Sequence, residues 1–341
     1  MRQVWISRRG GPEVLEVREA PDPAPGPGEV LIKVAAAGVN FADVMARMGL
    51  YPDAPPLPCV VGYEVSGTVE DLGAGAAQDG LRRGDRVLAL ARFGGYSDML
   101  AVPRNQVAPV PDGLSFEQAA AIPVNYLTAW LMLIHLGNLH RGERVLIHAA
   151  AGGVGQAAVQ IARWRGAEII GTASQSKHAR LRDAGVQHCI DYTRQDFAAE
   201  VQRLTRGHGV DIVLDAVGGG SFRKSYRSLA PLGRLFMFGA ASLAPGQRRS
   251  IWSALRVLAS MPRFRAIPLM NENRGVFGIN LGHLWGQVDL LRTMLLEVLD
   301  LTANKTLGPV IDSTYPFSRA ADAHARLQSR QSFGKVLLTP D

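Results

Sequence analysis

The sequence predicts an α/β protein in two parts, one β-rich and one built on a doubly wound parallel sheet. Three observations predict it. A strand, a glycine turn and a helix start follow one another over residues 145–163. From residue 125 onward helical and strand patterns alternate. Before residue 124, short apolar runs are punctuated by glycine and proline instead. The 341 residues suffice for two domains with a sizeable core.

The strand at 145–147 reads VLI, a run suited to a strand covered on both faces. HAAAGGVG (148–155) follows, and QAAVQIAR (156–163) reads as a helix with Val159 and Ile161 available for packing. The free N–H groups and positive dipole at such a helix start would cradle a pyrophosphate. Ala150, Gly152 and Gly155 take the three small-residue positions of the dinucleotide fingerprint, Gly152 and Gly155 supplying the tight turn and the close packing. Its place between strand and helix separates this pattern from an ordinary βα turn.

The second strand, EIIGTA (168–173), ends in Ser174, Gln175, Ser176 and Lys177, with no carboxylate. An NAD site would carry an acidic residue there, about twenty residues past the glycines. A hydroxyl and an ammonium favour a 2′-phosphate, hence NADP; Lys177 as a plain helix-face lysine is the competing reading. Strands at 211–217 and 233–238 each run into glycine, as a bound cofactor's close approach requires.

In the β-rich part, the turn run PDPAPGPG (21–28) delivers a strand at 29–35, and further strands are expected at 64–70, 87–90 and 94–102, together forming a small barrel. Asn40 can cap a short helix that carries Asp43 and Arg47 on one face. From spacing alone, a surface ion pair is the favoured reading of those two. Near the end, a helix is expected at 287–301, Ser318 can cap a helix through Leu327, and a strand at 334–339 returns to the first domain.

Hydrophobic content of 47% and charged content of 20% are those of a soluble globular protein. No apolar run spans a bilayer and the start lacks a signal-peptide core, so a cytoplasmic location is expected. Two distant cysteines, Cys59 and Cys189, exclude a disulfide framework and a four-cysteine zinc site within one chain. The net charge of +7 is uneven: no acidic residue lies between Asp215 and Glu272. Within that region residues 248–265 combine Arg248, Arg249, Arg256, Arg263 and Arg265 with Trp252 and with Ile251, Leu255 and Leu258 at helical spacing. A helix packed on the cofactor domain is one reading, a peripheral contact with anionic lipid the other. No nucleic-acid motif accompanies the charge, and no nucleic-acid partner is expected.

Five motifs carry a resemblance over nearly the full length: NFADVMARMGLY (40–51), VNYLTA (124–129), HAAAGGVG (148–155), GTASQSKH (171–178) and GKVLL (334–338). On these residues the chain resembles the zinc-independent quinone oxidoreductase group of the medium-chain dehydrogenases/reductases, and within it the VAT-1 branch. The resemblance implies a GroES-like catalytic domain made from residues 1–124 and 284–341, with a Rossmann NADP-binding domain at 125–283. It implies NADPH as hydride donor, a quinone or α,β-unsaturated carbonyl as acceptor, and a homodimer. Asn40 and Asp43 would lie beside the nicotinamide and acceptor, with Tyr51 shaping the pocket. Asn125 and Ala151 are implied among the cofactor contacts, Thr128 at the nicotinamide end, and Gly152, Gly153, Val154 and Gly155 at the pyrophosphate. Ser174, Lys177 and Tyr192 would meet the 2′-phosphate, Phe238 and Gly239 the ring, and Arg330 the adenosine side.

Two departures qualify the pattern. Zinc-bearing relatives place a histidine in a Gly-His-Glu triplet, where this chain reads Gly62, Tyr63, Glu64. Cys59 then reads as a small buried hydrophobe, the structural-zinc cysteines are absent, and no metal is expected. Several quinone reductases carry a tyrosine two residues after the aspartate, where this chain has Met45. Water or Tyr51 is left as proton source. Two other functions remain open: a nucleotide-sensing, lipid-associated adaptor, and an enoyl-thioester reductase.

Overall fold

A computed structural model of the chain describes residues 1–77, 80–244, 246 and 251–341. It divides into two compact units: Met1–Leu127 with Gly246–Arg249 and Leu281–Asp341, and Thr128–Pro245 with Ser250–Asn280.

The second unit is built on six parallel strands. In spatial order they are His188–Asp191, Glu168–Ala173, Arg144–Ile147, Val210–Asp215, Leu229–Met237 and Gly275–Gly278. Numbered along the chain this is 3-2-1-4-5-6, the doubly wound order, which reverses between Arg144–Ile147 and Val210–Asp215. Val145, Leu146, Ile147, Ile212, Val213 and Leu214 are fully buried, as strands covered on both faces must be. The helix Gly153–Trp164 buries Ala157, Ala158, Val159, Ile161 and Ala162. Alanines on that face bring the helix axis close to the sheet.

The basic stretch forms helices Ile251–Ser260 and Ala266–Glu272. A Cβ added at Gly219 would lie 2.9 Å from Ser260 Oγ, so the first of these helices packs beside the Gly218–Gly219 turn of the parallel-sheet unit. Trp252, Ile267 and Met270 are nevertheless 83%, 71% and 72% exposed. Arg248 and Arg249, part of the expected lipid-contact segment, lie outside the described residues.

The first unit carries a seven-stranded sheet ordered Ile311–Pro316, Lys335–Thr339, Glu29–Val39, Glu64–Leu72, Arg86–Leu90 and Val107–Pro109, with Met99–Pro103 also paired to Glu29–Val39. A smaller sheet joins Leu15–Glu19, Arg2–Ile6 and Cys59–Val60. Val4, Ile6, Ile32, Val65, Val87, Phe317 and Val336 meet in one core, so the last strand completes a domain begun at the first residue.

Two details differ from the sequence reading. The strand expected at 94–102 is Met99–Pro103 only: Gly94 turns at φ 86° and Gly95 packs on Gly62, ending the ladder there. Ser318 does not cap the helix Ala320–Gln328. A single tight turn, Phe317–Arg319, precedes that helix, and the Ser318 hydroxyl donates to Asp341 instead. Among the described residues no helix is long and apolar enough to cross a membrane.

Candidate active site

In the first unit the central strand Glu29–Val39 delivers Asn40 to the start of the helix Phe41–Arg47. Its neighbours fix what surrounds that residue. Val336 pairs with Val39 on one side and Val65 with Ala37 on the other, so Lys335 and Glu64 flank the strand end. Lys335 Nζ donates to Asn40 Oδ1 at 2.6 Å and to Glu64 Oε1. Asn40 Nδ2 donates to Glu64 Oε1 at 3.0 Å, and the Val124 N–H donates to Glu64 Oε2 at 2.7 Å. Gly38 makes this possible: a Cβ there would stand 2.4 Å from Glu64 Oε1. Glu64 and Lys335 are buried, while Asn40 is half-buried.

Asp43 and Arg47 are not a surface ion pair. Both are fully buried, and each uses its side chain elsewhere. Asp43 Oδ1 accepts from the Gly62 N–H at 3.1 Å; Oδ2 accepts from the Asn40 N–H at 2.8 Å and from the Tyr96 hydroxyl at 2.9 Å. Arg47 Nη2 donates to Gln328 Oε1 at 2.6 Å. Burial pushes the Asp43 carboxyl up to about 7, against the three hydrogen bonds and the Lys335 charge that pull it down. Tyr96 also touches His324 Nε2, at 3.2 Å. Because the Tyr96 proton goes to Asp43, that nitrogen is the donor, and burial together with Arg47 keeps the imidazole neutral.

Glu64, Tyr96, His324 and Lys335 were missed from the sequence. Lys335 left a signal, a single cation opening an otherwise apolar strand, KVLLT. Tyr51 lies in the wall of a cavity of about 460 Å³ with Arg9, Gly49, Pro52 and Leu57. Its ring meets the Tyr63 ring edge-on at 6.3 Å, and Tyr63 packs on Phe93 at 5.2 Å.

The second unit holds the glycine turn. Gly155 has no room for a side chain: a Cβ would stand 2.3 Å from the Ala149 carbonyl oxygen. The left-handed residue of the turn is Ala149, φ 51°, and not a glycine; Gly152 sits at φ −76°. Neighbouring bonds hold Ala149 there. Its N–H reaches Thr172 Oγ1, and its carbonyl accepts from the Gly152 N–H at 2.9 Å. His148 is buried between Thr172 Oγ1 at 3.2 Å and Ser225 Oγ at 3.1 Å, and Ser225 donates to Asp215 Oδ2. Burial lowers the pKa of His148, so it is a neutral strut between the strand Glu168–Ala173 and the helix Gly220–Arg227.

Ser174 and Lys177 are half-buried after the strand Glu168–Ala173, and Tyr192 is exposed after the strand His188–Asp191. Phe238 and Gly239 follow the strand Leu229–Met237; a Cβ on Gly239 would lie 3.0 Å from the Ala216 carbonyl oxygen. Thr128 is buried in this unit, with Ala151. Asn125 is buried in the first unit, its Nδ2 on the Ala121 carbonyl, and Arg330 is exposed there at φ 58°. The sequence-derived residues are thus divided: Asn40, Asp43, Tyr51, Asn125 and Arg330 in one unit, the remainder in the other.

The helix start at Gly153 and a turn closed to side chains suit a dinucleotide's pyrophosphate. The first unit does not suit zinc. Tyr63 stands in the histidine place, Glu64 is neutralised by Lys335, and burial raises the Cys59 thiol away from the thiolate that binds metal. Among the described residues no group of three or more His, Cys, Asp or Glu could hold a metal ion.

Two family models match the chain, the second of them across parts of both units. The alcohol dehydrogenase GroES-like domain model matches residues 26–112, and a model described as zinc-binding dehydrogenase matches residues 184–338. The human synaptic vesicle membrane protein VAT-1 homolog is 42% identical over 327 residues, covering 96% of this chain and 82% of the relative. The Escherichia coli quinone oxidoreductase, solved in complex with NADPH, is 30% identical with a TM-score of 0.87, covering 100% of both chains. The CurK enoyl reductase is 32% identical with a TM-score of 0.84, covering 100% of this chain and 99% of that one. With this sheet order, this glycine turn and these relatives, the chain belongs to the quinone oxidoreductase-like medium-chain dehydrogenases/reductases and is similar over nearly its whole length to VAT-1 homologs.

Proposed function

We propose that the chain is an NADPH-dependent reductase whose acceptor is a quinone or an α,β-unsaturated carbonyl. The observation that carries this reading is the turn at residues 149–155, which excludes a side chain at Gly155 and leads into the helix Gly153–Trp164. N–H groups at that helix start would hold the pyrophosphate, and Ser174, Lys177 and Tyr192 the 2′-phosphate. Bound NADPH would supply the hydride. Asn40 Nδ2 would donate to the acceptor oxygen as it gains negative charge, a charge-stabilising role that needs no nucleophile. The Tyr51 cavity, at about 460 Å³, is of the size that takes a small apolar ring. Asp43, with both oxygens occupied, would act by holding the Asn40 backbone and not by touching substrate.

NADPH consumption under anaerobic conditions tests this against benzoquinones, larger quinones, enals and enoyl-CoA, with NADH as control. Turnover on quinones or enals is expected. Turnover on enoyl-CoA alone moves the assignment to a thioester reductase, the activity named for one structural neighbour. NADPH binding without turnover moves it to a nucleotide-sensing protein.

A homodimer is part of the same proposal. Trp252, Ile267 and Met270 are exposed, and the strand Gly275–Gly278 is a sheet edge, so a second copy would cover apolar surface and an unpaired ladder together. Trp252→Glu should shift the protein to monomer by light scattering. A monomer in the parent protein that pellets with phosphatidylserine vesicles at low salt would assign this face to lipid instead.

A further inference from the structure

We propose that Lys335 and Glu64 are a positioning pair that fixes the Asn40 carboxamide in the one orientation able to donate to an acceptor oxygen. The kinetic half of this inference rests on the reductase reading above; the geometric half does not.

A carboxamide is nearly the same shape either way round, so packing alone does not choose between its oxygen and nitrogen. Charge does. The Lys335 ammonium only donates, and it faces Asn40 Oδ1 at 2.6 Å. The Glu64 carboxylate only accepts, and it faces Asn40 Nδ2 at 3.0 Å. A flipped amide would set N–H against ammonium and oxygen against carboxylate, losing both bonds. The pair is itself held: Lys335 bonds Glu64 Oε1, the Val124 N–H takes Oε2, and Gly38 leaves space for the carboxylate to lie over the strand.

Of the two Nδ2 hydrogens, one goes to Glu64. Among the described residues the second has only a long 3.5 Å approach to the Gly38 carbonyl, on a side chain that is half-buried. That hydrogen is the one left for a ligand. Accepting from a cation at Oδ1 also polarises the amide and makes the hydrogen a better donor. Buried ion pairs contribute little net stability, so orientation gives this one a reason to exist.

Removing Lys335 alone would strand a buried carboxylate and endanger folding, so the test uses the charge-neutral pair Lys335→Met with Glu64→Gln. In protein labelled with side-chain ¹⁵N asparagine, Asn40 Nδ2 is assigned by its loss in Asn40→Ala. The expected result is slow solvent exchange of the Glu64-bonded hydrogen in the parent protein and exchange of that hydrogen faster by about tenfold in the double variant. With a quinone acceptor, kcat of the double variant should fall about 10- to 100-fold, with NADPH affinity unchanged within about twofold. Adding Asn40→Ala to the double variant should take the total loss no further than that of Asn40→Ala alone. Unchanged Asn40 exchange in the double variant, or losses that multiply with Asn40→Ala, would overturn the proposal. A parent protein that reduces no acceptor removes the reductase reading, and the Asn40 signals then decide the geometry alone.

Discussion

The two units make their polar sites in opposite ways. In the parallel-sheet unit the turn is continuous in sequence and made of backbone: a helix start, a left-handed alanine, and a glycine whose missing Cβ lets Ala149 come close. In the mostly antiparallel first unit the site is made of side chains that meet from far apart. Lys335 and Asn40 are separated by 295 positions, and Glu64, Tyr96 and His324 come from three further segments. A backbone site tolerates change at every position except where atoms touch. A site of buried charges is sensitive to the charge of each member.

The sharpest way to break this contrast is at Gly155. Gly155→Val puts carbon where the Ala149 oxygen stands, and NADPH affinity should weaken by about 10- to 100-fold, from an overpacking strain of about 1–3 kcal/mol. Calorimetric titration checks it, with circular dichroism to confirm folding. Parent-like affinity would mean the turn is not where the cofactor binds.

The first unit answers to pH. The folded-state pKa of Asp43, about 7, lies above the ordinary 3.8, so the folded protein holds a proton the unfolded chain has lost. Its contribution to stability is whole below about pH 4 and falls away as pH rises through about 7. Asp43→Asn should flatten the stability slope across that window, whatever it costs in absolute stability, as urea unfolding at several pH values will show. An unchanged slope would sink the assignment.

A smaller effect is expected at the edge of the nucleotide site. Lys177→Glu should lower the preference for NADPH over NADH by about tenfold, the scale of one charge-assisted hydrogen bond. Unaltered preference would return Lys177 to an ordinary helix-face lysine.

What the sequence made legible follows the same contrast. Strand, turn and helix at 145–163 could be read because each element's residues are neighbours, and alternation from residue 125 gave the parallel sheet. The return of the last strand to the first domain was legible in KVLLT, and the register it takes was not. Asp43 and Arg47 were misread as exposed because helical spacing gives a shared face but not what covers it; Tyr96, His324 and Gln328 cover it here. Ala149 was missed as the left-handed residue because glycines stood nearby and local propensity pointed to them. The role of Glu64 depends on a lysine across the sheet, information that no local pattern holds.

Asn40 is the group proposed to meet developing charge on the acceptor. The most direct measurement is stopped-flow NADPH oxidation by a quinone, parent protein beside Asn40→Ala, with NADPH dissociation constants taken from nicotinamide fluorescence on the same samples. We expect the reaction rate to fall about 100-fold, as for loss of one charge-stabilising donor, while the dissociation constant stays within about twofold. An unchanged rate, or a rate loss matched by an equal loss of NADPH affinity, would contradict the account.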